Sequence, residues 1–255
     1  MPGRPYVLAD ATWKTVKETH YEVAILPWGA TEAHNYHLPF GTDIKESDFI
    51  ASECARIAWE AGAKVVVLPT VPFGVNTGQI DIKLTINMNP GTQRALLQDV
   101  VDSLSRQGIR KLVLLNSHGG NDFRQMLREM QLQKPEMFIC TINWWQIIDQ
   151  KNYFSHVDDH AGEMETSIML NVAPDVVLPL SEAGDGKARA FKLHGLRERW
   201  VWAPRWWTKV TDDTGVGNPK QATAEKGAQF LKAVTEKFAG FLKELAAADP
   251  KDLYE

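Results

Sequence analysis

Short apolar runs alternate with longer amphipathic stretches along the chain, and this alternation predicts its secondary structure. Runs of branched aliphatic residues are typical of buried strands, whereas apolar residues spaced three and four apart are typical of helices. The apolar runs predict four strands, at residues 22–27, 64–68, 111–115 and 137–142. The amphipathic stretches predict five helices, at residues 43–62, 92–107, 121–133, 161–172 and 219–248.

The order of these elements predicts a mostly parallel sheet with helices on both faces, an α/β fold. Strands that alternate with helices form βαβ units, whose crossover helices cover the sheet. The predicted strands are apolar throughout, as expected when both faces of a sheet are buried. The chain has no repeat and no low-complexity linker, so we expect one domain over residues 1–255. Residues 181–217, rich in Gly, Trp and Arg, fit these patterns least and predict a long functional loop or an added hairpin.

Composition narrows the classes of function. A net charge of −4 with 24% charged residues is ordinary for a globular protein and lacks the basic excess of a nucleic-acid-binding protein. No apolar run approaches the ~20 residues of a membrane span, and the N-terminus leads into no apolar signal region. Cys54 and Cys140 lie in apolar segments without CxxC spacing, which is typical of free thiols in a reducing compartment. We therefore expect a cytoplasmic protein that binds neither nucleic acid nor membranes.

Polar residues are concentrated in three clusters that follow predicted strands. Residues 28–43 follow the first strand, residues 116–121 follow the third, and residues 158–167 come after the fourth. Ligands of open parallel sheets gather beyond the carboxyl ends of the strands, so we expect the three clusters at one edge of the sheet. Five of the seven histidines lie in or beside these clusters: His34, His37, His118, His156 and His160.

The first cluster combines carboxylate and imidazole side chains. A bent loop can aim Glu32, His34 and Asp43 at one point, and such mixed ligands suit Zn²⁺, Mn²⁺ or Fe²⁺ better than Ca²⁺ or Mg²⁺. The alternative is that Glu32 and His34 are ordinary polar loop residues and that Asp43 caps the next helix. This segment alone supports both interpretations equally.

The other two clusters are weaker signals when each is taken alone. His118 precedes two glycines and the start of a helix, whose free N–H groups would face a ligand; the alternative is a Gly-rich turn with an incidental histidine. His160 and Glu163 are three apart at the head of a predicted helix and would share one face. The alternative there is an amphipathic helix with acids near its positive end. Glu165 would point elsewhere on that helix, to support the site or to form a salt bridge.

Four motifs, in a consistent order between about residues 20 and 240, resemble those of the creatininase family. They are Glu32-x-His-x-x-His-Leu-Pro with Asp43, Ser117-His-Gly-Gly-Asn121, His160-Ala-Gly-Glu-x-Glu-Thr-Ser167, and Gly215-Val-Gly-Asn-Pro followed by Ala222-Thr-Ala-Glu-Lys-Gly227. The resemblance implies a three-layer α/β/α sandwich with a mostly parallel central sheet, two divalent metal ions (Zn, Mn or Fe) and a hexameric homo-oligomer. It also implies a metal-dependent hydrolase that cleaves a non-peptide C–N bond in a small-molecule amide, cyclic amide or formamide.

The resemblance further implies which residues would hold the two ions. One ion would be bound by Glu32, Asp43 and His118. The other would be bound by His34, a further carboxylate and Asp43, which would bridge the pair.

The chain departs from the creatinine-hydrolysing branch of the family at two places. That branch has the further carboxylate two residues after the position of His118, where this chain has Gly120, and an apolar residue at the position of Glu163. We therefore expect Glu163 to bind the second ion, as in a deformylase-like branch. His156 and Val157 stand where the creatinine-hydrolysing branch has Trp and Asp, so we expect creatinine to be a poor substrate.

Other polar residues of the clusters have expected roles in catalysis and substrate binding. His160 is predicted to carry a proton to the leaving nitrogen, because imidazole titrates near neutral pH, and Asp159 to orient it; the alternative for His160 is a supporting role in the core. Asn76 and His37 are predicted to bind substrate, with a turn and a supporting role as their alternatives. Two other functions remain open: a non-catalytic metal-binding or assembly protein with the same fold, and a peptide-processing hydrolase. Six tryptophans are expected in the core, in a pocket wall or at a subunit interface: Trp144, Trp145, Trp200, Trp202, Trp206 and Trp207.

Overall fold

The computed structural model of the protein describes residues 3–255. The expected domain of residues 1–255 also includes Met1 and Pro2, which lie outside the described residues. At its centre is a parallel sheet with the strand order β2-β1-β3-β4. The strands are β1 (Val23–Trp28), β2 (Val65–Val67), β3 (Lys111–Asn116) and β4 (Phe138–Asn143). The predicted α/β class and the parallel sheet are thereby confirmed.

The five helices predicted from amphipathic spacing are all present, and three of them begin later than predicted. The last helix begins late because the Thr223 side chain accepts a hydrogen bond from the Lys226 amide and caps its first turn. Three short helices were not predicted from the pattern. The bounds are α1 (Trp13–Glu18), α2 (Thr42–Glu60), α3 (Pro90–Arg106), α4 (Arg124–Gln133), α5 (Glu163–Val172), α6 (His194–Arg197), α7 (Trp207–Val210) and α8 (Ala224–Ala247).

Helices cover both faces of the sheet, which gives the three layers that were expected. Alternate residues of each strand point to opposite faces, so Ile25 belongs to one apolar cluster and Leu26 to the other. The first cluster packs the sheet against α2, α5 and α8, with Phe230 of α8 fully buried in it. The second packs the sheet against α3 and α4 through Leu97 and Met130. The sheet therefore presents its carboxyl edge, where β1 and β3 end, between two helical layers.

Residues 181–217 form a long loop with two four-residue helices, α6 and α7. Of the two predicted alternatives, the hairpin is wrong, because no ladder forms within this segment and its one β contact is the isolated bridge between Val216 and His160. Reciprocal hydrogen bonds between Asn35 and Gly184 fasten the segment to the loop after β1. The segment therefore lies over the carboxyl edge of the sheet. No helix within residues 3–255 is long and apolar enough to cross a bilayer.

Candidate metal centre

Six buried or nearly buried polar side chains meet beyond the ends of β1 and β3. They come from the loop after β1, the first turn of α2, the loop after β3, the segment before α5 and the first turn of α5: Glu32, His34, Asp43, His118, His160 and Glu165. Within this cluster the ligand atoms form three overlapping groups, in each of which all atoms lie within 4.8 Å of one another. The groups are Glu32 with Asp43 and His118, His34 with Asp43 and Glu165, and Glu32 with His34 and His160.

Asp43 is shared by two of these groups and turns one carboxylate oxygen to each. Its Oδ1 lies 2.9 Å from His34 Nε2, and its Oδ2 lies 3.2 Å from His118 Nδ1. Glu32 Oε1 lies 3.0 Å from the same His118 nitrogen. Asp43 Oδ2 is fully buried and accepts no hydrogen bond within residues 3–255. A carboxylate placed in this way between two imidazoles has the arrangement of a bridging ligand.

Each histidine of the cluster has one ring nitrogen next to a backbone carbonyl oxygen. His34 Nδ1 lies 3.2 Å from Glu32 O, His118 Nε2 lies 3.1 Å from Val75 O, and His160 Nε2 lies 2.8 Å from Ala33 O. An N–H that donates to a carbonyl fixes the tautomer and leaves the other nitrogen with a lone pair, as in metal-binding histidines. In all three rings that other nitrogen faces the carboxylates of the cluster.

The buried carboxylates of the cluster raise the pKa values of two of its histidines. Although burial opposes a charged ring, the adjacent Asp43 carboxylate raises the pKa of His34 to about 10. Burial likewise opposes the charge on His118, but Glu32 and Asp43 raise its pKa well above the ordinary value. The pKa of Asp43 is lowered by His34 and His118 in spite of its burial. Buried carboxylates that need nearby positive charge are suited to a cation, and this mixed oxygen and nitrogen donor set fits Zn, Mn or Fe.

Glu163 does not belong to the cluster, which corrects the prediction that it binds a metal. Its Oε1 pairs with Lys226 Nζ, and its Oε2 accepts a hydrogen bond from the Ser155 amide at 2.8 Å. The prediction assumed a helix from residue 161, but α5 begins at Glu163 and Ala161 has a left-handed backbone with φ of 51°. Because residues 160–162 are not helical, the spacing of three does not place Glu163 on the face of His160. Glu165, which was expected to lie elsewhere, belongs to the group that contains His34 and Asp43.

Position 120 has no room for a side chain. A Cβ atom there would lie 2.2 Å from Val75 O and 2.4 Å from His118 Nε2. The hydrogen bond between Val75 and His118 therefore takes the space in which an acidic residue at position 120 would have to begin. This explains why the carboxylate beside His34 comes from α5 and not from the loop after β3.

Asp159 does not orient His160, contrary to prediction. Its carboxylate pairs with Arg205 at 2.5 Å, and the imidazole of His160 is held by Ala33 O. His160 itself lies where it was expected, with Nδ1 3.8 Å from Glu32 Oε1 and its ring 4.2 Å from that of His34. The ring of Trp207 meets the His160 ring edge to face at 5.4 Å. Position and tautomer of His160 thus depend on the loop after β1 and on the 181–217 segment.

The two residues predicted to bind substrate have different locations. Asn76 lines the cavity above the cluster, so its contact with substrate stays a prediction. His37 is buried away from that cavity, and its Nε2 lies 2.9 Å from Thr166 Oγ1. Burial, together with the nearby His34, lowers the pKa of His37 to about 4. The expectation that His37 contacts substrate is therefore wrong: it joins the loop after β1 to α5 as a neutral ring.

Two residues that the sequence did not single out also bear on the cluster. Gln79 donates a hydrogen bond from Nε2 to Glu32 Oε2 at 2.5 Å. Glu46 lies one turn after Asp43 on α2, fully buried, and neither of its oxygens has a hydrogen-bond partner within residues 3–255. Burial, and then Glu165 and Asp43, raise the pKa of Glu46 well above its usual range. The apolar spacing of α2 could have indicated that position 46 is buried, but no motif marks either residue.

A cavity of about 340 Å³ opens from the cluster to the surface. Its floor is formed by residues of the cluster, and its walls include the glycines after His118. Several of the tryptophans singled out in the sequence form its upper part: Trp144, Trp145, Trp202 and Trp207. The cavity has room for a small molecule, or for the end of a longer one, directly above the candidate ligands.

A parallel α/β fold with a buried carboxylate and imidazole cluster at the strand ends is the architecture of a metal-dependent hydrolase. The family described as creatininase, creatinine amidohydrolase, matches residues 9–242, and the chain belongs to this family. The chain is similar to the creatinine amidohydrolase of Pseudomonas putida, with 27% identity over 67% of this chain and 73% of that protein. It is also similar to the mycofactocin precursor peptide peptidase of Mycobacterium tuberculosis, with 28% identity over 90% of this chain and 87% of that protein. The crystal structure of a candidate creatinine amidohydrolase from Bacteroides fragilis matches with a TM-score of 0.93 and 46% identity, over 98% of this chain and 99% of that chain.

Proposed function

We propose that this creatininase-family hydrolase is an amidohydrolase that binds two divalent metal ions and cleaves a C–N bond of a small molecule. The observation that carries the proposal is Asp43, which presents one buried oxygen to each of two groups of ligand atoms. One ion would be held by Glu32, Asp43 and His118. The other would be held by His34, Asp43 and Glu165, with Glu165 in the place first expected for Glu163.

The metal ions, when bound, supply a hydroxide nucleophile near neutral pH and polarise the substrate carbonyl. In hydrolysis the hydroxide oxygen bonds to the carbonyl carbon, the C–N bond breaks, and the nitrogen leaves as an amine after it gains a proton. The products are that amine and a carboxylic acid, which is formate if the substrate is a formamide.

His160 is the residue proposed to deliver the proton. Its Nε2 is occupied by Ala33 O, so Nδ1 is the nitrogen that faces the cluster and can accept and then donate a proton. The cavity reaches this residue, and Trp207 limits the movement of the ring from the side of the 181–217 segment. A fixed imidazole that faces the cluster and lines the cavity is suitably placed for proton transfer.

Creatinine is proposed to be a poor substrate, and other small cyclic amides, linear amides and formamides are the preferred class. His156 and Val157 stand where creatinine-hydrolysing relatives have Trp and Asp, and neither lines the cavity. A peptide end is the second candidate, favoured by the similarity to mycofactocin precursor peptide peptidases over 90% of this chain. The open upper part of the cavity is compatible with either.

The test combines metal analysis with an amide panel. Protein purified without chelator and reconstituted with Zn, Mn or Fe should hold more than one equivalent of metal, and it should hydrolyse formamides or small amides faster than creatinine. His160→Ala should lower kcat about 100-fold or more while the metal content stays the same, and His194→Ala, at an exposed histidine of α6, is the matched control. Absence of bound metal after reconstitution contradicts the two-ion site. A protein that holds two ions but turns over no amide and no peptide would instead be the non-catalytic member of the fold.

A further inference from the structure

The outer wall of the cavity is formed by residues 202–208, which we name the strap. The strap is fastened to the segment beside Asn76 through Asp81, whose Oδ2 accepts hydrogen bonds from Trp206 Nε1 at 3.1 Å and Thr208 Oγ1 at 2.7 Å. Its Trp207 donates from Nε1 to Thr214 O at 2.7 Å. The strap is thus a fixed wall that faces the metal centre across the cavity.

Arg205 is the one lysine or arginine that lines the cavity, as far as residues 3–255 are concerned. The other charged residues of the lining, outside the histidines, are carboxylates: Glu32, Asp43, Asp158, Asp159 and Glu165. The Arg205 guanidinium lies 4.5 Å from the centre of the Trp207 ring, whose edge meets the ring of His160. This cation and the proposed proton donor therefore contact the same indole ring.

The guanidinium has capacity for another partner. A guanidinium carries five N–H donors, and in the described residues one of them is used, by Asp159 Oδ2. Half of the Asp159 side chain and a third of the Arg205 side chain are exposed, so their ion pair is partly solvated and inexpensive to rearrange. The stacking on Trp207 holds the plane of the guanidinium while its outer N–H groups stay accessible.

We propose that Arg205 is a specificity-determining residue that binds an oxyanion of the substrate, so that the preferred substrates are small amides carrying a carboxylate or phosphate. This inference rests on the proposed amidohydrolase function and names its substrate class. Arg205 binds carboxylate and phosphate through the same pair of parallel N–H donors. Because Arg205 and His160 line the same cavity and contact the same indole ring, the anionic group would lie a few bonds from the scissile amide, with the body of the substrate beside Trp202 and Trp207.

The charges of the residues that line the cavity explain why a contact with Arg205 distinguishes anionic from neutral substrates. All five carboxylates lie in the cluster or in the loop before α5. Glu32, Asp43 and Glu165 are proposed metal ligands, whereas Asp158 and Asp159 repel a substrate anion. Away from the proposed metal ions, Arg205 gives an anion a favourable location on the strap. A neutral amide makes no ionic contact with Arg205. The ratio of the affinities of matched anionic and neutral ligands therefore measures the contribution of Arg205 to binding.

The experiment measures binding and not turnover. The metal-reconstituted protein is titrated calorimetrically with N-acetylglycine, with its neutral amide, and with the phosphate monoester of N-acetylethanolamine. The two anionic probes should bind about tenfold tighter than the neutral one, which corresponds to one charged hydrogen-bonded contact. Arg205→Ala should reduce the preference to about twofold or less, Arg205→Lys should retain part of it, and Arg197→Ala, at an exposed arginine of α6, should leave it unchanged.

The outcomes separate this inference from the proposed function. Equal binding of charged and neutral probes, or an anion preference that survives in Arg205→Ala, overturns the role of Arg205. Loss of preference for one anion only would assign the substrate class to that anion, carboxylate or phosphate, and supports the role. If anions bind through Arg205 but no amide is hydrolysed, the amidohydrolase function fails while the oxyanion site stands. If amides are hydrolysed but anionic probes bind no tighter than neutral ones, the oxyanion site fails while the amidohydrolase function stands.

Discussion

At the scale of single residues, Lys226 determines which carboxylate of α5 reaches the metal centre. Its ammonium group and the Ser155 amide bind both oxygens of Glu163 and turn that side chain away from the cluster. Glu165 faces the cluster, where burial raises its pKa against the pull of His34. Two acids two residues apart on one helix thus have different partners: Glu163 pairs with Lys226, and Glu165 belongs to the candidate metal cluster.

Glu165→Gln should therefore affect metal content, whereas Glu163→Gln should affect stability. Glu165→Gln removes a proposed ligand and should lower the metal content by up to one equivalent while the fold survives. Glu163→Gln should keep the metal but unfold at lower temperature, because a buried pair is broken at a cost of ~1–3 kcal/mol. Elemental analysis and thermal unfolding of both variants check this. Loss of metal in Glu163→Gln with full metal in Glu165→Gln would restore the assignment made from the sequence.

A second prediction concerns acid stability and His37. Burial and His34 lower the pKa of this ring to about 4 in the folded chain, against about 6.5 in an unfolded one. Between these values the unfolded chain binds a proton that the folded chain does not, so stability falls as the pH is lowered from about 6.5 to 4. The contribution lost is on the order of 3 kcal/mol.

The measurement is urea unfolding at several pH values between 4 and 7. His37→Gln should be less stable than the parent at pH 7, and its stability should depend less steeply on pH across this window. His194→Gln, at an exposed histidine with 69% of its side chain accessible, should keep the parent slope. Parallel pH profiles for His37→Gln and the parent would show that His37 titrates normally.

The sequence predicted that four of the six cluster residues would lie together, and the reason is local. Glu32, His34 and Asp43 lie in one short loop before a recognisable helix, and His118 directly follows a strand, so the sheet topology brings them together. Glu165 could not be predicted in the same way. Its position depends on a left-handed Ala161 and on a partner for Glu163 that comes from α8, distant in sequence.

At the scale of elements, the crossing of α5 and α8 fixes the helix that carries Glu165. The helices approach closely at Gly227, where a Cβ atom would lie 2.0 Å from Ser167 O. The Ser167 hydroxyl also accepts a hydrogen bond from the Thr223 amide, at the start of α8. The motif that contains Gly227 could be recognised in the sequence. The close contact between α5 and α8 at this glycine could not be predicted from it.

Gly227→Ala should separate the two helices and destabilise the protein by about 2 kcal/mol or more. Gly240→Ala is the control, because it lies on the same helix with no atom within 4 Å of its Cβ position. That change should stabilise the chain by up to about 1 kcal/mol through helix propensity. Chemical denaturation gives the free energy of unfolding of both variants. Equal effects of the two substitutions would mean that α5 and α8 can move apart at Gly227 without loss of stability.

At the scale of the whole molecule, we propose that residues 1–255 unfold as one domain. Both apolar clusters are built on the same four strands, so neither helical layer has a core without the sheet. Calorimetry should show one cooperative transition, with calorimetric and van't Hoff enthalpies in agreement, and added metal should raise the Tm. Two separable unfolding transitions in the metal-free chain would show that it contains two independently folding units.

The parallel sheet and the helices on both its faces followed from periodicity, because burial on both faces leaves a clear pattern in the sequence. The conformation of residues 181–217 could not be predicted from periodicity. It depends on hydrogen bonds to distant partners such as Asn35, and on contacts of tryptophan side chains that are not regularly spaced in the sequence. The hexameric assembly and the cytoplasmic location remain predictions. Light scattering of the metal-loaded protein tests the first.

The proposed ligands are widely separated along the chain, and more than half of its residues lie between Glu32 and Glu165. An ion bound by such residues is a removable cross-link, which ties the loop after β1 to the head of α5 as a disulfide would. Local opening is governed by the weakest attachment of a segment and not by the stability of the core. Removal of the metal should therefore expose the loop after β1 and the segment before α5 to proteases while the sheet is still folded.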